Sequence, residues 1–300
     1  ITTIEELQLI GSEGYPLDGT YELMNDVDGA GKTFAPIGSM EEPFSGQFLG
    51  NGYSISNVVI ESEEGTGLFD CFTGYISSVN LKNIKVNTKS RQSVLFNVIS
   101  GEAEISDIFI DGTLEKREQD AVEASGGLAA RVESAKKIRN VQVYVSMQNK
   151  GKLDGALVGN NSASAEVYED CVWSNAYGQD HAFGVDSEVN KSDGAYSIKP
   201  DPSYVTLMTG GQQAQVSANR ETAAKFGLEF KEWAFQNIIL DGTDEQNGMA
   251  AVKSNEETGV ENIIAVYEKQ WADGTKMQVR FLTPVIVSQN VTEEKPLEPV

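Results

Sequence analysis

The chain has 300 residues, 40% of them hydrophobic, which suffices for one elongated domain and a smaller second one. Its 45 acidic and 23 basic residues give a formal charge of -22, which would repel nucleic-acid phosphates and anionic lipid heads. We therefore expect neither nucleic-acid binding nor membrane insertion. The excess acid is spread along the chain and favours solubility.

Few residues are suited to metal or nucleophile chemistry. His181 is the single histidine, and the two cysteines, Cys71 and Cys171, lack the close spacing of a zinc site. We expect no cofactor and no metal site. The start at Ile1, without Met or a basic segment, suggests that a signal peptide has been removed, and no stretch approaches the ~20 apolar residues of a membrane span.

The first predicted element is a short helix. Thr3-Ile4-Glu5-Glu6 forms a capping box, and Leu7 and Ile10 continue the apolar face at near-helical spacing. Such a helix would cover the open end of a solenoid. Further along, Asp26 and Asp28 suggest calcium, but the other ligands of a calcium loop are missing.

A short pattern then recurs: an apolar residue, two polar ones, a second apolar residue, one free position and a third apolar residue. The five copies are Ile55/Val58/Ile60, Ile76/Val79/Leu81, Ile105/Ile108/Ile110, Ile138/Val141/Val143 and Tyr168/Cys171/Trp173. Their starts lie 21, 29, 33 and 30 residues apart, as successive coils of a solenoid would. A second apolar element, centred on a leucine 8 to 11 residues before the next copy, keeps step with it at Leu68, Leu95, Leu128 and Leu157.

The alternation within each copy predicts strands that pair in parallel between coils, with variable polar loops on one side. Ile105 then points inward, and Ser106 points outward, where substitution should be nearly silent. Cys71 and Cys171 lie three coils apart in this register, too far for a disulfide, so we expect two free and mostly buried thiols.

The third position of the pattern holds small polar residues that tolerate a left-handed bend: Asn57, Ser78, Asp107, Asn140 and Asp170. The pattern therefore predicts a polar ladder at a corner of the solenoid. A second interpretation is a ligand-binding groove formed by Asp107, Asn140 and Asp170, and these three are the candidate binding residues.

Three segments carry a family resemblance: Pro36-Ile37-Gly38, the run from Phe44 to Ile55 (Phe-Ser-Gly-Gln-Phe-Leu-Gly-Asn-Gly-Tyr-Ser-Ile) and Gly67-Leu68-Phe69. They resemble the GLUG-motif proteins, which bacteria display in adhesin-like and peptidase-associated surface regions. The resemblance covers roughly residues 1 to 190. It implies a right-handed parallel β-helix of the pectin-lyase-like type.

The last third has a different pattern. Lys199-Pro200-Asp201-Pro202 reads as a linker or domain boundary, and strand alternation with a turn at Asp273-Gly274 predicts an antiparallel sandwich. Residues 221 to 230 fit either a helix or a strand. The order of these parts is similar to bacterial immunoglobulin-like (Big) domains. The acidic, proline-containing residues 291 to 300 resemble a linker towards further domains or an anchor.

The sequence thus predicts an all-β chain. We expect a right-handed parallel β-helix with an N-terminal capping helix over residues 1–195, an immunoglobulin-like β-sandwich over 196–290 and a linker or tail over 291–300. The expected function is a non-catalytic, adhesin-like binding or display module, monomeric, at the bacterial cell surface or secreted, which contacts glycan or a host surface protein.

Two alternatives remain open. The first is a carbohydrate-active enzyme, a polysaccharide lyase or hydrolase on the same solenoid, for which Asp107, Asp170, Lys137 and Arg139 would supply acid and base. The second is an accessory region of a larger surface peptidase whose catalytic domain lies outside this chain.

Overall fold

A computed structural model describes residues 1–62, 65–89, 91–116, 124–148, 153–177, 181–185, 195–235, 239–254 and 257–289. The chain divides into two compact units, Ile1–Ser197 and Ile198–Val300. Strands are the main regular structure of both units and helices are a small part, as the sequence predicts. The polar loops expected to vary in length fall largely outside the described residues, as does the whole of the predicted linker or tail, 291–300.

Where the structure describes the first unit, it consists of one short helix, α1 (Ile4–Gln8), and a series of strands. In chain order the strands are β1 (Thr20–Glu22), β2 (Val27–Asp28), β3 (Gln47–Leu49), β4 (Ser54–Ser56), β5 (Val59–Ser62), β6 (Phe69–Phe72), β7 (Tyr75–Thr88), β8 (Phe96–Ile99), β9 (Glu104–Lys116), β10 (Ala129–Val132), β11 (Lys137–Gln148), β12 (Val158–Asn161), β13 (Tyr168–Glu169), β14 (Cys171–Trp173), β15 (Phe183–Val185) and β16 (Ala195–Tyr196). Two 3-10 turns follow β12 and β14, at Ala165–Val167 and Asn175–Tyr177.

These strands form a β-solenoid of about five turns. One sheet runs β1-β3-β7-β9-β11-β14-β16, with the short strands β2, β4, β5 and β13 at its sides, and the other runs β15-β12-β10-β8-β6. Every pairing in both sheets is parallel. The predicted parallel solenoid is confirmed.

The solenoid core is a set of columns in which equivalent apolar residues of successive coils stack. One column contains the first residue of four copies of the sequence pattern and is preceded by two aromatic residues: Tyr21, Phe48, Ile76, Ile105, Ile138 and Tyr168. All six side chains are buried, so Ile105 points inward as predicted. The second sheet stacks aromatic rings in the same way, with the ring centres of Phe69 and Phe96 5.8 Å apart.

The register predicted for the first copy of the pattern is wrong. Ile55 pairs with Leu81 and Ile60 with Val86, whereas Phe48 pairs with Ile76. The copy at Ile55 therefore lies one bend further along the coil than the other four, and the short gap of 21 residues in the sequence reflects this shift.

The exposure predicted for Ser106 also differs from the structure. It points away from the core, but only 5% of its surface is exposed, because it lies in a row between Ser77 of the preceding coil and Arg139 of the next. Outward-facing residues of a central strand are covered from both sides by neighbours about 4.8 Å away. The expectation of a silent substitution at Ser106 does not hold.

The predicted helix caps the first coil. Thr3 is its N-cap, and the Thr3 hydroxyl accepts a hydrogen bond from the Glu6 amide at 3.2 Å. The Glu6 carboxylate accepts from the amide and hydroxyl of Thr2, so the reciprocal bond forms one residue earlier than in a standard capping box. Ile4, Leu7 and Ile10 are buried within the solenoid core.

The described residues of the second unit form two sheets and one short helix. Its elements are β17 (Val205–Met208), β18 (Gln213–Ser217), α2 (Arg220–Lys225), β19 (Leu228–Phe235), β20 (Ile239–Asp244), β21 (Met249–Lys253), β22 (Gly259–Gln270) and β23 (Lys276–Ser288). One sheet runs β17-β23-β22-β19 and the other β18-β21-β20. The predicted hairpin around Asp273-Gly274 is confirmed, with Ala265 opposite Phe281 and Tyr267 opposite Val279.

Two features of this unit differ from a purely antiparallel sandwich. β17 pairs with β23 in parallel, Val205 opposite Val285. The ambiguous segment 221 to 230 is both helix and strand, since α2 ends at Lys225 and β19 begins at Leu228, separated by Gly227 at a φ of 68°. A glycine in this left-handed conformation is a common helix terminator.

Candidate functional site

The polar residues predicted at the bends do adopt left-handed backbone conformations. Their φ angles are 55° (Asn57), 56° (Ser78), 57° (Asp107), 49° (Asn140) and 50° (Asp170). Only a few residue types occupy this region without much strain, and Asn and Asp are the most frequent after Gly. The third position of the pattern is therefore a backbone requirement of the coil.

The structure separates these residues into two corners. Ser78, Asp107, Asn140 and Asp170 are equivalent in successive coils, because Ser77 aligns with Ser106, Ser106 with Arg139 and Arg139 with Glu169. Asn57 belongs to a second corner, where Ser56 aligns with Lys82. Its partner in the next coil is Asn83, which also has a positive φ of 53°.

Hydrogen bonds run along both corners. At the first, the Asn140 amide donates to the Asp107 carboxylate at 2.7 Å. At the second, the Asn83 amide donates to the Asn57 side-chain oxygen at 2.7 Å, and the Asn57 amide donates to Asp28 at 3.0 Å. The side chains thus form polar ladders between coils.

The three candidate binding residues, Asp107, Asn140 and Asp170, are brought together at the first corner. Asp107 and Asp170 are exposed and Asn140 is half-buried. The Asn140 side chain lies in the coil between the two carboxylates and is bonded to Asp107. Asp107 and Asn140 are thus hydrogen-bonded between coils, and the role of all three residues in ligand binding stays a prediction.

The two aspartates that suggested calcium cap backbone amides. Asp26 accepts a hydrogen bond from the Ser54 amide at 2.7 Å, and Asp28 accepts one from the Ala30 amide at 2.8 Å. The Ala30 amide, followed by the Asn57 side chain, lowers the pKa of Asp28. Among the described residues, no group of three or more His, Cys, Asp or Glu side chains is placed to hold a metal ion.

Both cysteines are free and buried, as predicted. Burial raises the pKa of the Cys71 thiol, and it raises that of Cys171 to about 12. Because the thiolate is the reactive form, both thiols are poor nucleophiles at neutral pH.

A recess on the outer face of the first sheet was not anticipated from the sequence, and we call it the lateral recess. Its volume is about 450 Å³, and it is lined by Tyr75, Glu104, Ile105, Ser106, Lys136, Lys137, Arg139 and Glu169. It lies beside the first corner, because Ser106, Arg139 and Glu169 directly precede Asp107, Asn140 and Asp170. Its residues come from four coils, so their proximity becomes apparent only once the pairing register of the strands is known.

Ion pairs occupy two sides of the lateral recess. Lys136 contacts Glu104 at 2.7 Å, and Lys137 contacts Glu169 at 2.7 Å. These contacts raise the pKa of Lys136 and lower the pKa of Glu169. Lys137 and Arg139, which the enzyme alternative would use, thus lie in the recess rather than in the ladder.

Comparison of this chain with protein-family models, curated proteins and solved structures produced no match. Within the described part of the chain, no helix reaches the length and apolar character that a membrane span requires.

Proposed function

We propose that this chain is a non-catalytic, adhesin-like binding or display module of the bacterial cell surface or of a secreted protein, with glycan or a host surface protein as its partner. The observation that carries the proposal is the outer face of the first sheet. It presents outward rows of side chains at one coil spacing, about 4.8 Å, along seven strands. A regular rigid surface of this kind suits the recognition of extended ligands.

The polar corners support a binding role over a catalytic one. Asn140, Asn57 and Asn83 each donate a hydrogen bond along a ladder, and the bend residues hold a backbone conformation that the coil requires. A catalytic carboxylate pair needs room for the scissile bond between its members. Here the Asn140 side chain lies between Asp107 and Asp170.

For the first unit we propose a right-handed β-helix related to the GLUG-motif proteins. Nearly all parallel crossover connections are right-handed, which supports the handedness. The residues that resemble the family have structural roles: Phe44 and Phe48 are buried, and Asn51 and Gly52 turn the chain with φ angles of 53° and 82°.

For the second unit we propose an immunoglobulin-like sandwich of the Big type. The seven strands of its described residues divide into groups of four and three, and the first of them pairs with the last. If the strands are named A to G in order, one sheet holds A, G, F and C and the other B, E and D. This division resembles the immunoglobulin arrangement, and Trp233 is buried on the third strand, where that fold places a tryptophan.

The proposal is tested by applying the intact chain to an array of glycans and immobilised extracellular host proteins. We expect saturable binding to at least one of these ligands. Heat-unfolded chain is the control, and it should lose the signal because the binding rows exist only in the folded solenoid. Absence of binding to every ligand on the array would contradict a binding module.

A further inference from the structure

The lateral recess owes its shape to short side chains in the middle of the outer face. Ser77, Ser106, Arg139 and Glu169 form one row across successive strands, and Tyr75, Glu104 and Lys137 form the neighbouring row. Ser106 is almost covered and forms the floor. The longer side chains of the neighbouring coils surround it and form the sides of the recess.

The charges in the recess leave one cation uncompensated. Three cations and two carboxylates line it, and Lys136 and Lys137 are paired with Glu104 and Glu169. Arg139 makes no hydrogen bond or ion pair with the described residues, although it lies close enough to Glu169 to contribute to the lowered pKa of that carboxyl. The side chains that line the recess therefore sum to a net charge of one positive unit, in a chain whose formal charge is -22.

The positive charge of the lining side chains contrasts with the chain as a whole, whose net negative charge repels anions. At physiological salt, charges are screened beyond ~8 Å, so an anion that enters the recess is affected by the groups that line it and by Asp107 and Asp170 at the adjacent corner, but little by the rest of the chain. A guanidinium donates two parallel hydrogen bonds to a carboxylate, which gives both orientation and affinity. The Arg139 side chain is thus suited to hold one carboxylate.

The other lining groups match a sugar rather than a bare anion. The ring of Tyr75 offers an apolar wall for the C–H face of a sugar, while the Ser106 hydroxyl and the two glutamates can accept hydrogen bonds from sugar hydroxyls. A volume of about 450 Å³ lies within the range of small-ligand sites.

We infer that the lateral recess binds a carboxylate-bearing sugar, with Arg139 on the carboxylate, Tyr75 against the ring and Ser106 at a hydroxyl. The inference rests on the proposed function of a binding module and names the ligand class of one site on it.

The experiment is a calorimetric titration of the intact chain with two acidic saccharides and their neutral counterparts: 3′-sialyllactose against lactose, and cellobiouronic acid against cellobiose. We expect at least one acidic saccharide to bind saturably and its neutral counterpart to bind at least about tenfold more weakly, because the neutral sugar leaves the Arg139 guanidinium without its partner. Failure of both acidic saccharides to bind would overturn the inference, and so would equal binding of the neutral ones.

Two variants and one control assign the binding to the recess. Arg139→Gln should weaken binding of the acidic saccharide about tenfold or more, and Tyr75→Ala should weaken that of both members of a pair. The control is Lys85→Gln, which removes one positive charge from an exposed position on β7 outside the recess and should leave affinity unchanged. Unchanged melting temperatures would show that all three variants are folded.

The outcome also separates this inference from the proposed function. If the array detects a ligand whose binding survives Arg139→Gln, while neither acidic saccharide binds, the recess assignment is wrong and the binding module stands. If nothing binds in either experiment, both are wrong.

Discussion

The two units of this chain differ in how far apart in sequence their paired strands lie. In the solenoid, each strand pairs with the equivalent strand of the next coil, as Ile76 does with Ile105 and Ile105 with Ile138. In the C-terminal unit, the first strand pairs with the last, Val205 with Val285. A repeat makes the pairing visible as a recurring pattern, whereas the strand neighbours in the C-terminal unit are not specified by any local pattern.

The largest loss of stability is expected from a substitution in the solenoid core. Ile105→Asp places an uncompensated charge in a fully packed column and should cost at least about 4 kcal/mol, which prevents stable folding of the first unit. Ile105→Val is the control and should cost only about 0.5–1.5 kcal/mol. The measurement is chemical denaturation followed by circular dichroism. Wild-type stability of Ile105→Asp would show that the register is wrong.

The second prediction concerns a core residue of the C-terminal unit. Trp233→Ala removes a buried ring that packs against Phe230, with ring centres 5.4 Å apart, and should cost about 3–5 kcal/mol. Phe235→Ala, two residues along the same strand, removes a ring that is 48% exposed and should cost no more than about 0.5 kcal/mol.

Limited proteolysis with mass spectrometry would read out the Trp233→Ala and Phe235→Ala variants. With Trp233→Ala, peptides from residues 205–288 should be released early while those of the solenoid persist, because each unit has its own core. Equal protection of the C-terminal unit in both variants would contradict the assigned core position of Trp233.

The third prediction concerns the corners. Asn140→Ala and Asn140→Gly both lose the hydrogen bond to Asp107, but only Ala retains a Cβ at a φ of 49°. The left-handed conformation costs a non-glycine residue about 1–2 kcal/mol. Asn140→Ala should therefore be about 1 kcal/mol less stable than Asn140→Gly in urea denaturation. An Ala variant as stable as the Gly variant would show that the bend conformation is not a constraint.

The sequence predicted the solenoid because residues at equivalent positions face the same physical requirement. Apolar residues such as Ile76 and Ile105 must fill a column, and residues such as Asp107 and Asn140 must tolerate a left-handed bend. The same logic misplaced the copy that begins at Ile55, because two corners of one coil impose the same requirement and Asn57 resembles Ser78.

The lateral recess could not be predicted from local patterns. Its outward row contains Ser106 and Arg139, which are 33 residues apart and meet only through the pairing of β9 with β11. Outward positions vary freely in residue type, so they leave no recurring pattern. The burial of Ser106 has the same origin, because it depends on the size of its neighbours in other coils.

The smallest expected effect is a pH dependence at Asp111, an outward residue of β9. Burial raises the pKa of its carboxyl, partly offset by a hydrogen bond from the Asn83 amide. The folded chain therefore holds this proton to a higher pH than the unfolded chain does, where the pKa is ~3.9. The contribution to stability is greatest below that pKa and is lost as pH rises through the folded-state pKa.

Asp111→Asn lacks this loss, so its stability relative to the native chain should increase as pH rises from acidic to neutral values. Melting temperatures measured across that range would test the sign. Asp28→Asn is a matched comparison with the opposite expectation, because hydrogen bonds from Ala30 and Asn57 lower the pKa of Asp28. A relative stability of Asp111→Asn that falls with rising pH would contradict the assigned burial.

The central claim, that this solenoid binds without cleaving, is tested most directly by product release. The intact chain would be incubated with pectin, polygalacturonate, mucin glycans and host-type polysaccharides, with and without calcium. We predict that neither reducing ends nor unsaturated products appear, because Asp107 already accepts a hydrogen bond from Asn140, whose side chain lies between Asp107 and Asp170. Release of products that disappears in Asp107→Ala or Asp170→Ala would contradict the account and identify the chain as a carbohydrate-active enzyme.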